Sequence, residues 1–297
     1  MKTLKKYQKI QGLRQRYYNL VTNRESLIKI IMETEISDHV YNSNAIENST
    51  LSLEETDKIL MQIELDRYVS EREIFEAKNL ARVVSYIETK SKESELDFEI
   101  TLLLHKMLIS NIRDDISGRF RNADEWVRVG NHIAPNPLEI NERLQKVYTE
   151  YFSNTSESIV KRIAKFHLGF EYVHPFVDGN GRIGRVLNNY LLLRSGYVPI
   201  NIKFIDRQTY YNAFQEFQTF GKTNIMEDIV LKALTNSYYK RLAYLEGRFI
   251  MELGDYAKKY KLSHPNLINK AKRQTIEAFL EHGIWKIGVT LEELKLN

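Results

Sequence analysis

The sequence predicts a mainly α protein with one small β-hairpin and a C-terminal helix-turn-helix-like module. Glycine and proline are scarce, 13 and 5 in 297 residues. Apolar residues recur at helical spacing along most of the chain. One stretch, EWVRVGNHIA (125–134), alternates instead around a Gly-Asn pair, which favours a tight hairpin turn.

The first clear helical segment is EREIFEAKNLARVVSYIETK (71–90), which places Ile74, Ala77, Leu80, Ala81, Val84 and Ile87 on one stripe. Residues 96–110, 137–152 and 156–173 read the same way, with Pro137 suited to a first turn and Ser156 to an N-cap. A further helix covers 183–195 and ends at Gly196. Helical spacing continues through 206–220 and 224–250. From 251 to 297 the pattern is helix, short turn (KLS), then a second helix over HPNLINKAKRQTIEAFLEHG. Ser263 suits the cap of that second helix and Pro265 its first turn.

Composition excludes several chemistries. There is no cysteine, so a disulfide framework, a cysteine nucleophile and a thiolate metal site are ruled out. The first twenty residues have no apolar core of a secretory signal, and no apolar run is long enough to span a bilayer. The expectation is a cytoplasmic protein with no membrane partner. The net charge of +4 is carried wholly by the stretch from Lys240 onward, where eleven basic residues face seven acidic ones. Six basic residues and no acid lie between Lys258 and Arg273, so DNA binding through 253–282 is one reading and a solvated basic face the other.

The chemistry concentrates in HPFVDGNGRIGR (174–185). A P-loop requires Lys-Ser/Thr after its last glycine, and Arg185-Val186 stands there instead. A dinucleotide fingerprint is matched by Gly179, Gly181 and Gly184, but the chain lacks alternating βαβ units, and His174-Pro175 falls where an apolar strand should end. The remaining reading uses every residue. A small-residue loop enters a helix N-terminus, whose free N–H groups and dipole favour an anion. Gly179 and Gly181 allow the turn, Arg182 and Arg185 supply positive charge, and Asp178 would reach phosphates through Mg²⁺. His174 is suited to accept a hydroxyl proton, and Phe176 to plug the core.

Residues 174–185 closely resemble the Fic family motif H-P-F-x-[DE]-G-N-G-R-x-x-R, matching at all nine defined positions. The similarity runs over roughly 97–200, through ISGRFR (116–121) and the 125–134 hairpin. It implies a Fic-type helical core and transfer of AMP from ATP to a Tyr, Ser or Thr hydroxyl of a protein. By resemblance, His174 is the base and Asp178 holds Mg²⁺. Gly179, Asn180 and Gly181 cradle the α- and β-phosphates, and Arg182 and Arg185 hold the outer ones. Val127, Arg128, Val129, Gly130, Asn131, His132 and Ile133 form the flap that docks the target.

SNAIEN (43–48) resembles the family's inhibitory [ST]-x-x-x-E-[GN] motif. Its place before the core resembles the branch with an N-terminal inhibitory helix, here about 36–48. The resemblance implies that Glu47 pairs with Arg185 and takes the γ-phosphate position, with Ser43 steadying the helix. The implied organisation is an N-terminal helical region (1–96), a catalytic core (97–205), a helical extension (206–250) and the C-terminal module (251–297). Two other functions stay open: removal of AMP with Glu47 orienting a water, and a DNA-binding regulator whose core senses nucleotide. The intact glycines and second arginine favour AMP transfer, and uridylyl or guanylyl transfer stays open because the motif reads phosphates and not the base. The target, self-modification among the 18 tyrosines, and a homo-oligomeric state are not written in the sequence.

Overall fold

The computed structural model describes residues 2–295 except Asn131. The chain divides into two compact units, residues 39–230, and residues 1–38 together with 231–297. The division falls inside two helices, α2 (Glu25–Ile46) and α10 (Asn224–Leu245), in a chain that begins with α1 (Lys2–Val21).

The larger unit is built from helices that start at side-chain caps. Ser52 and Glu55 form a reciprocal capping box for α3 (Leu53–Leu60). Ser70 caps α4 (Glu71–Glu93), and Asp97 caps α5 (Phe98–Ile109) by accepting from the Ile100 N–H at 2.8 Å. A 3₁₀ turn at Pro137–Glu139 leads into α6 (Ile140–Ser153). The cap of α7 (Ile159–Val173) is Ser158, not Ser156 as expected, because Ser158 Oγ accepts from the Lys161 N–H. The predicted hairpin forms from β1 (Arg128–Val129) and β2 (His132–Ile133), antiparallel, with Gly130 at φ +58° in its turn. Asn131 lies outside the described residues.

At the centre runs α8 (Asn180–Arg194), packed against α4, α5 and α7. Nearly every residue from Asn180 to Leu192 is buried, so its polar side chains must find partners inside. Asn189 exchanges both amide bonds with the backbone of Ile200, and the Tyr190 hydroxyl donates to Ser94 O. The predicted start of this helix at 183 is three residues late. After an irregular stretch, α9 (Arg207–Phe220) packs on α7. The end of α2 is tied there too, because the Tyr211 hydroxyl donates to Ile46 O and the Phe204 N–H donates to Asn42 Oδ1.

In the smaller unit, the helix predicted over 224–250 stops at Leu245, and Gly247 turns the chain at φ +65°. The chain then runs through β3 (Phe249–Glu252), α11 (Leu253–Lys259), α12 (His264–Lys272), β4 (Ala278–Glu281), β5 (Ile284–Val289) and α13 (Leu291–Lys295). The expected second helix over 264–283 is thus corrected: it ends at Lys272, and of its remainder Ala278–Glu281 is strand and the rest turn. The sheet is antiparallel in the order β3-β5-β4. Edge pairing with β3 and β4 fixes 284–289 as strand, a non-local preference that short-range apolar spacing does not report. Leu253, Ala257, Leu267, Ala271 and Ala278 form its core. Elsewhere in this unit, Arg241 donates to both oxygens of Glu35, and Lys240 pairs with Glu281, all four side chains being buried.

Candidate active site

The site forms where α7 ends and α8 begins. His174 closes α7 in a left-handed conformation, φ +48°, with its N–H donating to Phe170 O. Pro175 cannot continue a helix. Arg121 then fixes the turn from outside: its guanidinium donates to His174 O at 2.8 Å and to Glu125 O and Pro135 O, and its own N–H donates to Pro175 O. Phe176 is fully buried, as expected, and stacks on the His105 ring at 3.7 Å. The Gly118 N–H donates to His105 Nδ1, so Nε2 carries the ring hydrogen and donates to Asp178 O. Burial pulls His105 down to about 4, which keeps the ring neutral in that role.

Asn180 spends both ends of its amide on Phe176. Its Oδ1 accepts from the Phe176 N–H and its Nδ2 donates to Phe176 O, each at 2.8 Å. The side chain therefore holds the loop. Gly179 sits at φ +82°, where a Cβ would press on Ile109. The N–H groups of the first turn of α8, at the helix mouth, have no intrahelical acceptor, an arrangement that suits an anion.

Two carboxylates flank that mouth. The first is Asp178, which pairs with Arg72 at 2.6 Å and Arg182 at 3.2 Å. Burial opposes its ionisation, yet Arg182 and Arg72 hold it below the usual carboxylate range. Arg182 also pairs with Glu76 at 3.0 Å, and Glu76 accepts from Arg72, closing a ring of four charges. The second is Glu47, in the turn just past α2. Its Oε1 accepts from Arg185 Nη2 at 2.8 Å, and a Cβ at Gly181 would collide with that same oxygen. Arg185 further donates to Ser43 Oγ, to Ser43 O and to the Tyr210 hydroxyl. The Tyr210 hydroxyl, accepting from Arg185, donates to His167 Nε2 at 2.7 Å. Burial works against the Arg185 charge, but Tyr210 and Glu47 more than offset it and raise its pKa.

His174 Nδ1 lies 3.7 Å from Glu171 Oε2. Burial lowers His174 to about 4, so its ring is neutral and able to accept a proton at neutral pH. The hairpin stands beside it, with His132 Nε2 within 3.0 Å of Tyr172 O, and Val129 and Ile133 exposed. All the motif residues thus gather at one mouth, joined by Ser43 and Glu47 from 127–142 positions earlier in the chain. Arg182 and Arg185 do not share a partner: one faces Asp178 and Glu76, the other Ser43, Glu47 and Tyr210. Sequence reading missed Arg72, Glu76, Arg121, His105, His167, Glu171 and Tyr210. Only ISGRFR, which contains Arg121, and FHLGFEYVHPF, which contains His167 and Glu171, carried a signal through the family resemblance.

Residues 95–192 match the model of the Fic/DOC family. These residues are a Fic/DOC family domain. The chain carrying this Fic domain is 30% identical over 181 residues to a protein adenylyltransferase Fic of Nematostella vectensis, covering 58% of this chain and 41% of that protein. It is 32% identical over 179 residues to a protein adenylyltransferase Fic of Drosophila willistoni, covering 59% and 35%. The chain therefore spans well under half the length of these curated relatives. Among solved structures, a Fic domain containing signaling protein from Bacteroides thetaiotaomicron superposes with a TM-score of 0.71 at 22% identity, covering 80% of this chain and 97% of that one. Fic-1 from C. elegans gives 0.68 at 23% identity, covering 81% and 71%. At such identities the likeness establishes the fold.

Proposed function

We propose that this chain transfers AMP from ATP to a hydroxyl side chain of a protein, and that Glu47 restrains the reaction by occupying Arg185. The observation that carries the proposal is the Glu47 carboxylate, seated on Arg185 directly over Gly181 at the anion-binding mouth of α8. A carboxylate there is a ready stand-in for a phosphate. The curated relatives named protein adenylyltransferase support the reaction class.

His174 takes the proton of the attacking hydroxyl. The hydroxyl oxygen forms a bond to the α-phosphorus of ATP, the bond to the bridging oxygen breaks, and pyrophosphate leaves. The α8 N-terminus and Arg182 hold the phosphates, and Arg185 does so once Glu47 has left; such positioning and charge stabilisation are what this chemistry chiefly needs. Val127 to Ile133 present the target. Asp178 fits Mg²⁺ as a single hard, ionised oxygen ligand, with Arg72 giving up its oxygen; among the described residues no cluster of three or more acidic or histidine side chains could hold a metal without phosphates. Bound there, Mg²⁺ would neutralise phosphate charge. ATP labelled at the α-phosphate should label protein, γ-label should not, and His174→Ala should abolish labelling. Label retained from the γ-position would make the chain a kinase instead.

A second reading, DNA binding through 253–282, draws on a different surface. Asn266, Asn269, Lys270 and Arg273 are exposed at spacings of three, four and seven, opposite buried Leu267 and Ala271. Amide and cationic side chains on one helix face suit base edges and phosphates. A mobility shift on duplex DNA that weakens with salt and is lost in Lys270→Glu/Arg273→Glu supports this reading. No shift at low salt removes it.

A further inference from the structure

The last turn of α7 carries a buried acid that the transfer scheme leaves unused. Glu171 Oε2 stands 3.7 Å from His174 Nδ1, and its Oε1 has no hydrogen-bond partner. Gly184, at a variable position of the motif, makes room for it: a Cβ there would run into Glu171 Oε1 and the His167 ring. The space beside the base is therefore built around this carboxyl.

Charged and titratable groups face the pair from every side. Glu171 faces His174 and His167 on its own helix and turn, Arg185 from α8, Glu47 from the turn after α2, and Tyr210 from α9. His174 also feels Arg121 and His132. Burial first, then the like charge of Glu47, push the Glu171 carboxyl up to about 8, against the pull of Arg185. Near neutral pH both Glu171 and His174 are uncharged. A neutral imidazole has one ring hydrogen, and only the form with that hydrogen on Nδ1 leaves Nε2 able to accept a proton. The Glu171 backbone carbonyl already favours this form by accepting from the ring, and a protonated carboxyl beside Nδ1 adds nothing to it, because it can donate as well as accept. An ionised carboxylate can only accept, so it reinforces the hydrogen on Nδ1 and raises the basicity of Nε2 by its charge.

We infer that Glu171 is a positioning residue for His174: once ionised it backs Nδ1–H with a full negative charge and makes Nε2 the stronger base. Glu47 opposes this through its like charge, so the same carboxylate that occupies Arg185 also quiets the base. In the transfer step the target O–H bond breaks, a new N–H bond forms at Nε2, and the resulting imidazolium shares its charge with the Glu171 carboxylate. This inference rests on reading His174 as the base.

The test is to titrate the His174 ring by NMR in the nucleotide-free, isotopically labelled full chain. Wild type should show an inflection near pH 8 from Glu171, Glu47→Gly should move it to lower pH, and Glu171→Gln should lack it. Gln matches the shape of the resting neutral acid; Glu171→Asp is a second variant that keeps a titrating carboxyl. In the Glu47→Gly background, Glu171→Gln should lower kcat by about tenfold, part of what a general base supplies, with KM for ATP unchanged. A His174 titration identical in wild type and Glu171→Gln overturns the inference. So does an unchanged kcat. The NMR readout needs no turnover, so a chain that transfers nothing would sink the proposed function while the titration still judges the pair.

Discussion

Asn180 shows how one side chain sets the site. Both ends of its amide bond the buried Phe176 backbone, so Asn180→Ala would strand an N–H and a C=O away from water. The expected cost is about 2–6 kcal/mol, from two buried groups left unsatisfied at roughly 1–3 kcal/mol each. Thermal unfolding should report it, together with weaker nucleotide binding, because the loop that forms the anion mouth loses its clamp. Residues of this kind were half legible. The twelve-residue motif marked Asn180 for the phosphate cradle without saying which of its atoms would serve, and in the folded loop its side chain bonds the Phe176 backbone. Tyr210 was not legible at all, and neither were the roles of Glu171 and His167, since a polar residue on a helical stretch looks the same in sequence whether it faces water or a buried arginine.

At the scale of elements, α2 and α10 each hold a charge that has no water to solvate it. Glu35 on α2 accepts two bonds from Arg241 on α10, and Lys240 bridges Glu35 and Glu281. Glu35→Ala leaves a buried arginine without its carboxylate, and the expected loss is about 3–5 kcal/mol by chemical denaturation. Glu35→Gln, which keeps the shape and one acceptor, should lose less. Helix existence and type were mostly readable from apolar spacing, as α4 and its stripe show. Ends were not: Ser156 and Ser158 look alike, and geometry alone chose Ser158. The stretch from Ile276 to Val289 fits helical and strand periods equally well, and pairing with β3 decided for strand. That partner lies some thirty residues away, beyond the reach of a local pattern.

At the scale of the whole molecule, three buried histidines give stability a definite pH dependence. Burial lowers His105 to about 4, His167 to about 3 and His174 to about 4, from an ordinary value of 6.5. Above 6.5 they are neutral folded or unfolded and contribute no slope. Below it the unfolded chain takes up protons that the folded chain refuses, so stability falls as pH drops from 6.5 toward 4. Glu171 has the opposite sign: raised from 4.5 to about 8, it binds an extra proton in the folded state, so stability also declines as pH rises toward 8. Denaturant midpoints should therefore be highest near pH 6.5. Glu171→Gln should flatten the alkaline side and steepen the acid side between pH 4.5 and 6.5, where the extra proton on Glu171 opposes the histidines. A midpoint independent of pH between 4 and 6.5 would mean the histidines are not held neutral.

The central claim is that Glu47, by holding Arg185 over the α8 mouth, keeps an adenylyl-transfer site in check. The most direct measurement is the intact mass of wild type and Glu47→Gly after incubation with ATP and Mg²⁺, with and without a lysate-derived protein mixture. The account predicts AMP adducts, on the chain or on another protein, that increase in Glu47→Gly and vanish when His174→Ala is added. Equal adduct levels in wild type and Glu47→Gly would contradict the restraint, and adducts that persist without His174 would contradict the site.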